Sequence, residues 1–389
     1  MIINCFLHNK KPINLLHENL DFFFFGKKKI SFGICPKCGH IFQSQTISRR
    51  ELNIHYKKMQ LHIDNLGKPS VQKKRSVQRH LSIIKHEMFN FPKSVLEVSS
   101  MNSYNLMQFK KNGAKFVEVL EPNENVAKSL SKEKYIKVHN TKIENVSIKK
   151  KYDLIILTHV LEHLFNPLKA LKNCYKLQKI NQKLLVEVPL FEKVENCPVV
   201  TLHHEHLHYF SENTLIELLT RAGYEPDYIE KIYKSTPFPF ITIVATKKNK
   251  VKVIKSNDFK RQLSSLKNYI YQAKKGWKKI NSYLNKFKDN RPTYLFGAGL
   301  FTPQFLHYTN VSKKFNIEAI IDSSPIKQKG FIGKYNILKP NLKFLKPKSK
   351  IIISSDSCQE SIYEFIKKWE KRGFKIITLF KRNKLIKNY

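Results

Sequence analysis

The chain predicts an α/β fold on a parallel sheet, and three observations carry that prediction. The stretch KYDLIILTHVLEHLFNP at residues 151–167 opens with Asp153, runs apolar through Leu157 with no period of two, and passes into helically spaced residues. So short a continuous apolar run suits a strand covered by helices on both faces. SVLEV at Ser94–Val98 and KLLVEVP at Lys183–Pro189 repeat the pattern between helical segments. A further series of short apolar runs, at 293–296, 317–322, 350–354 and 375–379, alternates with helical spacing in the last third of the chain. Open α/β sheets seat ligands beyond the carboxyl ends of their strands, so Thr158, His159, Glu162 and His163 are expected beside a cleft.

At 389 residues the chain is too long for one ordinary domain. Apolar residues at 41% and aromatic ones at 12% suffice for a packed core in each of two or three units, which excludes disorder as the main state. The net charge of +41 invites phosphate-bearing partners: nucleic acid, an anionic membrane or a nucleotide-bearing metabolite. Lysines such as Lys27–Lys29 and Lys149–Lys151 are nevertheless scattered through every segment, which reads as compositional drift. No nucleic-acid-binding motif accompanies the charge, so no nucleic-acid partner is expected. The opening MIINCFLHNKK is too short in apolar residues for a signal peptide and has no small-residue cleavage site. LDFFFFG and FPFITIVAT fall short of the roughly 18 residues that span a bilayer. A cytoplasmic protein with no membrane partner is expected, and six cysteines that form no disulfide framework agree with a reducing compartment.

Residues 1–75 read as a small metal knob. Cys5 and His8 are separated by two residues, as are Cys35 and Cys38, and Pro36, Lys37 and Gly39 make the second pair a tight knuckle. Each such pair presents two ligands to one tetrahedral ion, so structural zinc held by Cys5, His8, Cys35 and Cys38 is expected, with His40 as a competing fourth ligand. The intervening residues are too few for a core of their own, and a metal would supply the missing stability. A closed four-ligand site leaves no open position for catalysis. The alternative is that Cys5 and His8 are ordinary buried residues and the other two a loose thiol pair. A basic helical segment, 49–88, leads to the next unit.

Residues 76–247 form the sheet domain. SVLEV and FVEVLE at 116–121, joined by a helix around 104–112 that closes at Gly113, make a strand–helix–strand unit. Together with YDLIIxxHVLEHLxNP, this unit resembles class I S-adenosylmethionine (SAM) dependent methyltransferases, whose sheet is Rossmann-like. There the turn after the first strand reads ExGxGxG and an acid ends the second strand to take the ribose hydroxyls. Glu97 and Glu121 match these acids; Ser99, Met101 and Ser103 stand where the family has glycine, and only glycine adopts positive φ freely. The resemblance thus implies SAM binding by Glu97, Ser99, Met101, Glu121 and Thr158, in a turn that departs from the family's, with Lys142 and Ile143 near the adenine.

The segment His203-His204-Glu205-His206, followed by Tyr209, Phe210 and Ser211, resembles HEHxxYFS of the sugar C-methyltransferases, which also carry an amino-terminal zinc site. Those enzymes methylate a keto-deoxysugar on a nucleoside diphosphate. The resemblance implies His206 as the base that takes the carbon-bound proton, Glu205 as its orienter, and His163 as a second contact to the sugar. The family often has tyrosine at the position of His203. Read from the residues alone, the histidine run stays open between a substrate-facing site, a polar structural loop and a metal site, and no i, i+4 pair with a further acid is present for the last. Ser211 is placed to cap a helix over 214–219 that ends near Gly223.

Residues 248–389 read as a long basic helix over 258–287 and then a second α/β unit. Gly297-Ala298-Gly299 follows a strand, and Asp322 ends the next one, as in a dinucleotide-binding turn lacking its third glycine, where Thr302 stands. The sugar C-methyltransferases have such a carboxyl-terminal domain, with a GAG turn and a DxxPxKQG segment that Asp322–Gly330 resembles. Glycines 297 and 299 serving only strand–helix packing is the competing reading. The whole chain then reads as an α/β methyltransferase sheet flanked by a zinc-binding domain and a Rossmann-like domain, using SAM and structural zinc on a nucleotide-activated sugar. A non-catalytic relative that binds the sugar nucleotide, or a protein partner, without SAM is the alternative.

Overall fold

The computed structural model describes residues 2–22, 26–59, 69, 71–100, 102–193, 201–233, 239–325, 327–356, 358–381 and 384–385. The amino-terminal unit is a hairpin of β1 (Ile13–Phe22) and β2 (Gly26–Ile34) followed by β3 (Ile41–Gln45), then α1 (Arg49–Met59) and α2 (Val71–Glu87). The hairpin is the main departure from sequence expectation: residues between the two knuckles do form regular structure. They bury Leu20, Ile30, Phe32 and Ile34 against Leu266, Tyr269 and Ile270, which lie more than two hundred residues further on. The core that so short a segment could not supply is borrowed. The basic segment expected to be helical over 49–88 carries α1 and α2, and α2 crosses residue 75 to pack Val77, Leu81 and Ile84 beneath the central sheet.

That sheet takes β4 (Ser94–Val98), α3 (Tyr104–Lys111), β5 (Phe116–Leu120), α4 (Glu124–Leu130), β6 (Ile136–His139), β7 (Leu154–Thr158), α5 (Pro167–Lys176) and β8 (Lys183–Pro189) in succession. A two-residue strand β9 (His208–Tyr209), which joins β3, and α6 (Glu212–Arg221) follow, and β10 (Tyr224–Ile232) and β11 (Phe240–Lys247) complete the sheet. The strand order is β10-β11-β8-β7-β4-β5-β6, parallel from β8 to β6, with β11 antiparallel to β8. Connectivity reverses between β4 and β7, which makes their carboxyl ends the switch point of a doubly wound sheet. Every residue of β4 is buried, as an apolar run without alternation requires.

Local chemistry sets the helix ends. Asn166 accepts from Lys169 N and is followed by Pro167, and Ser211 and Thr214 form a reciprocal capping box on α6. Gly223, at φ +92°, ends that helix with its α-carbon so near the Tyr175 ring that a Cβ would lie 2.5 Å from it.

A 26-residue helix, α7 (Phe259–Leu284), then leads to β12 (Pro292–Phe296), α8 (Phe301–Tyr308), α9 (Val311–Lys314), β13 (Asn316–Ile321), β14 (Phe331–Ile332), β15 (Tyr335–Leu338), β16 (Lys350–Ile353), α10 (Gln359–Ile366) and β17 (Lys375–Ile377). This second sheet has the order β14-β15-β13-β12-β16-β17, again with its reversal beside the first strand. One end of α7 packs on the amino-terminal hairpin and the other, through Trp277, Ile280 and Leu284, on the second sheet. The helix joins the two outer units.

Candidate functional site

At the switch point both flanking strands end in non-glycine residues of left-handed backbone: Ser99 after β4 at φ +58° and His159 after β7 at φ +55°. Such positions cost about 1 kcal/mol or more and cluster where function holds them. Ser99 therefore keeps the left-handed backbone expected of the first family glycine. Ser103, at φ −71°, lies in the ordinary helical region, where no glycine is needed, and its hydroxyl donates to Glu133. Met101 lies outside the described residues.

Glu97 is buried, accepts from Asn105 Nδ2 through one oxygen, and has its other oxygen without a hydrogen bond. Glu121, just past β5, accepts from Asn123 N at 2.8 Å and Ser100 N at 3.2 Å, tying the second strand to the Ser99 turn. Burial raises its carboxyl to about 7 against those hydrogen bonds, and the nearby Glu97 adds to the rise. An orphaned buried carboxylate oxygen and a carboxylate at the second strand end are donor-poor features that suit the ammonium and hydroxyl groups of SAM. Ile143 is buried in the core and Lys142 reaches Asn53, so the expected adenine contacts are spent elsewhere in part.

Beyond β7, Glu162 and His163 lie in a short 3-10 turn, Leu161–His163. His163 Nδ1 lies 2.9 Å from the Glu205 carbonyl, which can only accept, and its ring centre is 4.7 Å from that of His206. His203 and His206 have ring centres 4.1 Å apart. Burial and the neighbouring histidines push His206 well below its ordinary pKa, and burial takes His203 to about 4, so both are neutral near pH 7. Glu205 meets His163 through its main-chain carbonyl.

The loop bearing these histidines is held from all three units. Gln43 of β3 donates to the carbonyls of His203 and His206 at 2.8 and 2.7 Å. Gln304 of α8 donates to the Leu202 carbonyl, and Leu202 N donates to the Tyr269 hydroxyl of α7. Residues 208–209 add a strand to β3, and His40 Nε2 bonds His208 Nδ1 at 3.0 Å.

Behind this loop, Glu187 of β8 is buried and receives Arg79, His80 Nε2 at 2.9 Å and Thr242 Oγ1 at 2.7 Å. His159 lies 3.3 Å from Glu187 and 3.5 Å from Glu162. Desolvation would lower the His159 imidazole, yet the carboxylates of Glu162 and Glu187 outweigh it and raise it to about 10. It is an imidazolium at neutral pH. A glutamate inside the apolar run LLVEVP was the one sequence sign of this network.

The thiols of Cys5, Cys35 and Cys38 converge, with ligand atoms within 4.8 Å of one another, on the two expected knuckles. His8 clusters with Cys38 and with Glu217, a fully buried residue of α6 that sequence spacing gave no means of finding. His8 Nε2 is buried, makes no hydrogen bond, and lies 3.0 Å from Glu217 Oε1. Hydrogen bonds from Cys38 and Cys5 pull the Cys35 thiol down, favouring one thiolate. Three thiols and an orphaned imidazole fit zinc by donor type, with Glu217 placed as a carboxylate beside the histidine.

In the second sheet, Thr302 donates to the Gly297 carbonyl, a Cβ on Gly297 would lie 3.0 Å from the Ser354 carbonyl, and Asp322 accepts from Ala298 N. The glycine turn is thus packed against its own neighbours and its acid is spent on the backbone. A groove of about 410 Å³ lies at the opposite end of the central sheet, where its carboxylate, Asp153, already binds Lys93 N and Ser94 N. Among the described residues no helix is long and apolar enough to cross a membrane.

Residues 73–229 match the family model described as a methyltransferase domain. No curated protein matches the chain. Among solved structures, the 1,6-didemethyltoxoflavin-N1-methyltransferase of Burkholderia thailandensis, with S-adenosylhomocysteine bound, is 11% identical with a TM-score of 0.43 over 57% of this chain and 96% of that one. The N-methyltransferase NodS of Bradyrhizobium japonicum, in complex with S-adenosylhomocysteine, is 13% identical with a TM-score of 0.39 over 50% of this chain and 97% of that one. The magnesium protoporphyrin IX methyltransferase of Synechocystis, with bound SAM, is 12% identical with a TM-score of 0.37 over 50% and 91%.

Proposed function

We propose that this protein transfers a methyl group from SAM to a small acceptor, a keto-sugar carried on a nucleotide, at the switch point of its central sheet. The observation that carries the reading is the pair of buried acids at the ends of adjacent strands, Glu97 on β4 and Glu121 after β5, joined by a turn with left-handed Ser99, inside a segment that matches the methyltransferase domain. Glu97, Ser99, Glu121 and Thr158 would hold the cofactor, which supplies the methyl group.

On the acceptor side, His206 is neutral and sits on a loop pinned from three units, so its lone pair can take a proton from carbon next to a carbonyl. Glu205 holds His163 by its carbonyl, and His163 would be the second contact to the acceptor. The cysteine cluster with His8 would hold zinc as a structural ion, away from the chemistry. The basic surface favours an acceptor carrying phosphates.

His206→Asn tests the base. Full-length protein given SAM and candidate nucleotide-linked keto-sugars should form S-adenosylhomocysteine, and the variant should lose at least about a hundredfold in rate with unchanged thermal unfolding. Equal rates in both would remove His206 from the reaction. Binding of the sugar nucleotide with no binding of SAM would replace the transferase by a non-catalytic binding protein.

A further inference from the structure

We propose that Glu162, His163 and His206 bind one divalent first-row transition cation, at a site separate from the cysteine cluster. One ligand atom from each lies within 4.8 Å of the others. Ligands about 2.0–2.2 Å from an ion stand roughly 3.0–3.5 Å apart, a closure that side-chain rotation supplies. Sequence spacing hid this group, because an adjacent Glu-His pair and a histidine forty residues later meet only through the fold.

Glu162 carries the argument. It is 1% exposed, and neither of its carboxylate oxygens accepts a hydrogen bond. A buried, unsatisfied carboxylate costs several kcal/mol unless a positive charge compensates it. The nearest positive group, His159 Nδ1, stands at 3.5 Å, outside good hydrogen-bonding geometry, and is shared with Glu187. His163 supplies the second sign: Nδ1 donates to the Glu205 carbonyl, which fixes the ring, and Nε2 faces Glu162, 3.9 Å from its Oε1. A ring N–H held by a main-chain carbonyl is the way proteins fix the tautomer of a metal-binding histidine.

Two imidazoles and one carboxylate suit zinc, manganese, iron(II) or cobalt(II) and leave coordination positions for an acceptor oxygen. The cation would polarise that oxygen, and, with His206 as its ligand, a hydroxide on another open position would take the carbon-bound proton and become water. This use rests on reading the cleft as the acceptor site; the binding itself does not.

The test is titration of the full chain with cobalt(II), its cysteine cluster first filled with zinc. One equivalent should bind with weak visible bands and without the intense near-ultraviolet absorption of thiolate ligation. Glu162→Gln and His206→Gln, each checked for unchanged unfolding, should weaken that binding at least about tenfold. No binding beyond the zinc, thiolate-type absorption only, or equal affinity in both variants would overturn the proposal. Formation of S-adenosylhomocysteine in strong chelator with no cobalt bound contradicts the cation's use in the transfer while sparing both the binding and the methyltransferase, and cobalt binding without any methyl transfer contradicts the methyltransferase while sparing the site.

Discussion

Replacing Ser99 by glycine tests whether the turn after β4 has a glycine's conformation filled by another residue. Ser99 sits at φ +58°, with its N–H donating to the Leu120 carbonyl at 2.7 Å, so the backbone is pinned in the left-handed region. An L-residue pays about 1–2 kcal/mol there. Glycine removes that strain but adds about 0.4–1 kcal/mol of unfolded-chain entropy. The hydroxyl contact to Glu121, at 3.5 Å, is too long to matter much. The net gain is about 0.5–1 kcal/mol, or roughly 1–4 °C in the calorimetric transition of a domain this size. Ser99→Ala, which keeps the strain, should leave the transition unchanged or slightly lower. Affinity for S-adenosylhomocysteine should hold or improve in the glycine variant. A glycine variant that melts below the alanine variant would refute the reasoning.

Three further outcomes follow from the same structure. Because burial raises Glu121 to about 7 from 4.5, the folded chain holds that proton more tightly; its contribution is full below pH 4.5 and is lost as pH rises through 7. Chemical denaturation at pH 5 and pH 8 should therefore show wild type losing up to about 3 kcal/mol relative to Glu121→Gln, with no pH-dependent difference counting against it. Glu217→Ala leaves Arg221, His8 and Ser256 N without their buried acceptor and should cost about 3–5 kcal/mol, whereas a loss under about 1 kcal/mol would show that Glu217 is not the hub. Cys35→Ser, or a strong chelator, should release one zinc per chain and destabilise the amino-terminal hairpin first, read by hydrogen exchange; retention of zinc after the substitution would exclude the thiol cluster as its holder.

Much of the fold was legible because it rests on local pattern. The strands at 94–98, 154–158 and 183–189 are apolar runs buried on both faces, and their boundaries follow from the turn and cap residues beside them. The amino-terminal hairpin was not legible, since INLLHENLDF mixes polar and apolar residues and is completed by α7, far along the chain. The helical segment expected over 49–88 hid its division because its composition is uniformly basic.

Site residues divide the same way. Glu97, Glu121, Thr158, His163 and His206 stand in motifs, and the two cysteine–histidine knuckles announce themselves by spacing. Gln43, Gln304 and Glu217 act across 160, 102 and about 209 positions, and only the assembled structure pairs them with the histidine loop or with His8. The left-handed backbone at His159 is likewise invisible in sequence, where the residue type does not signal it.

Calorimetric titration of the full chain with S-adenosylhomocysteine at pH 8, beside Glu121→Ala, tests the central reading most directly. One molecule should bind per chain, and loss of the carboxylate that takes the ribose hydroxyls should weaken binding by about 10- to 100-fold, the worth of a charged hydrogen bond. A wild-type chain that binds none, while still taking up a sugar nucleotide, would contradict the account.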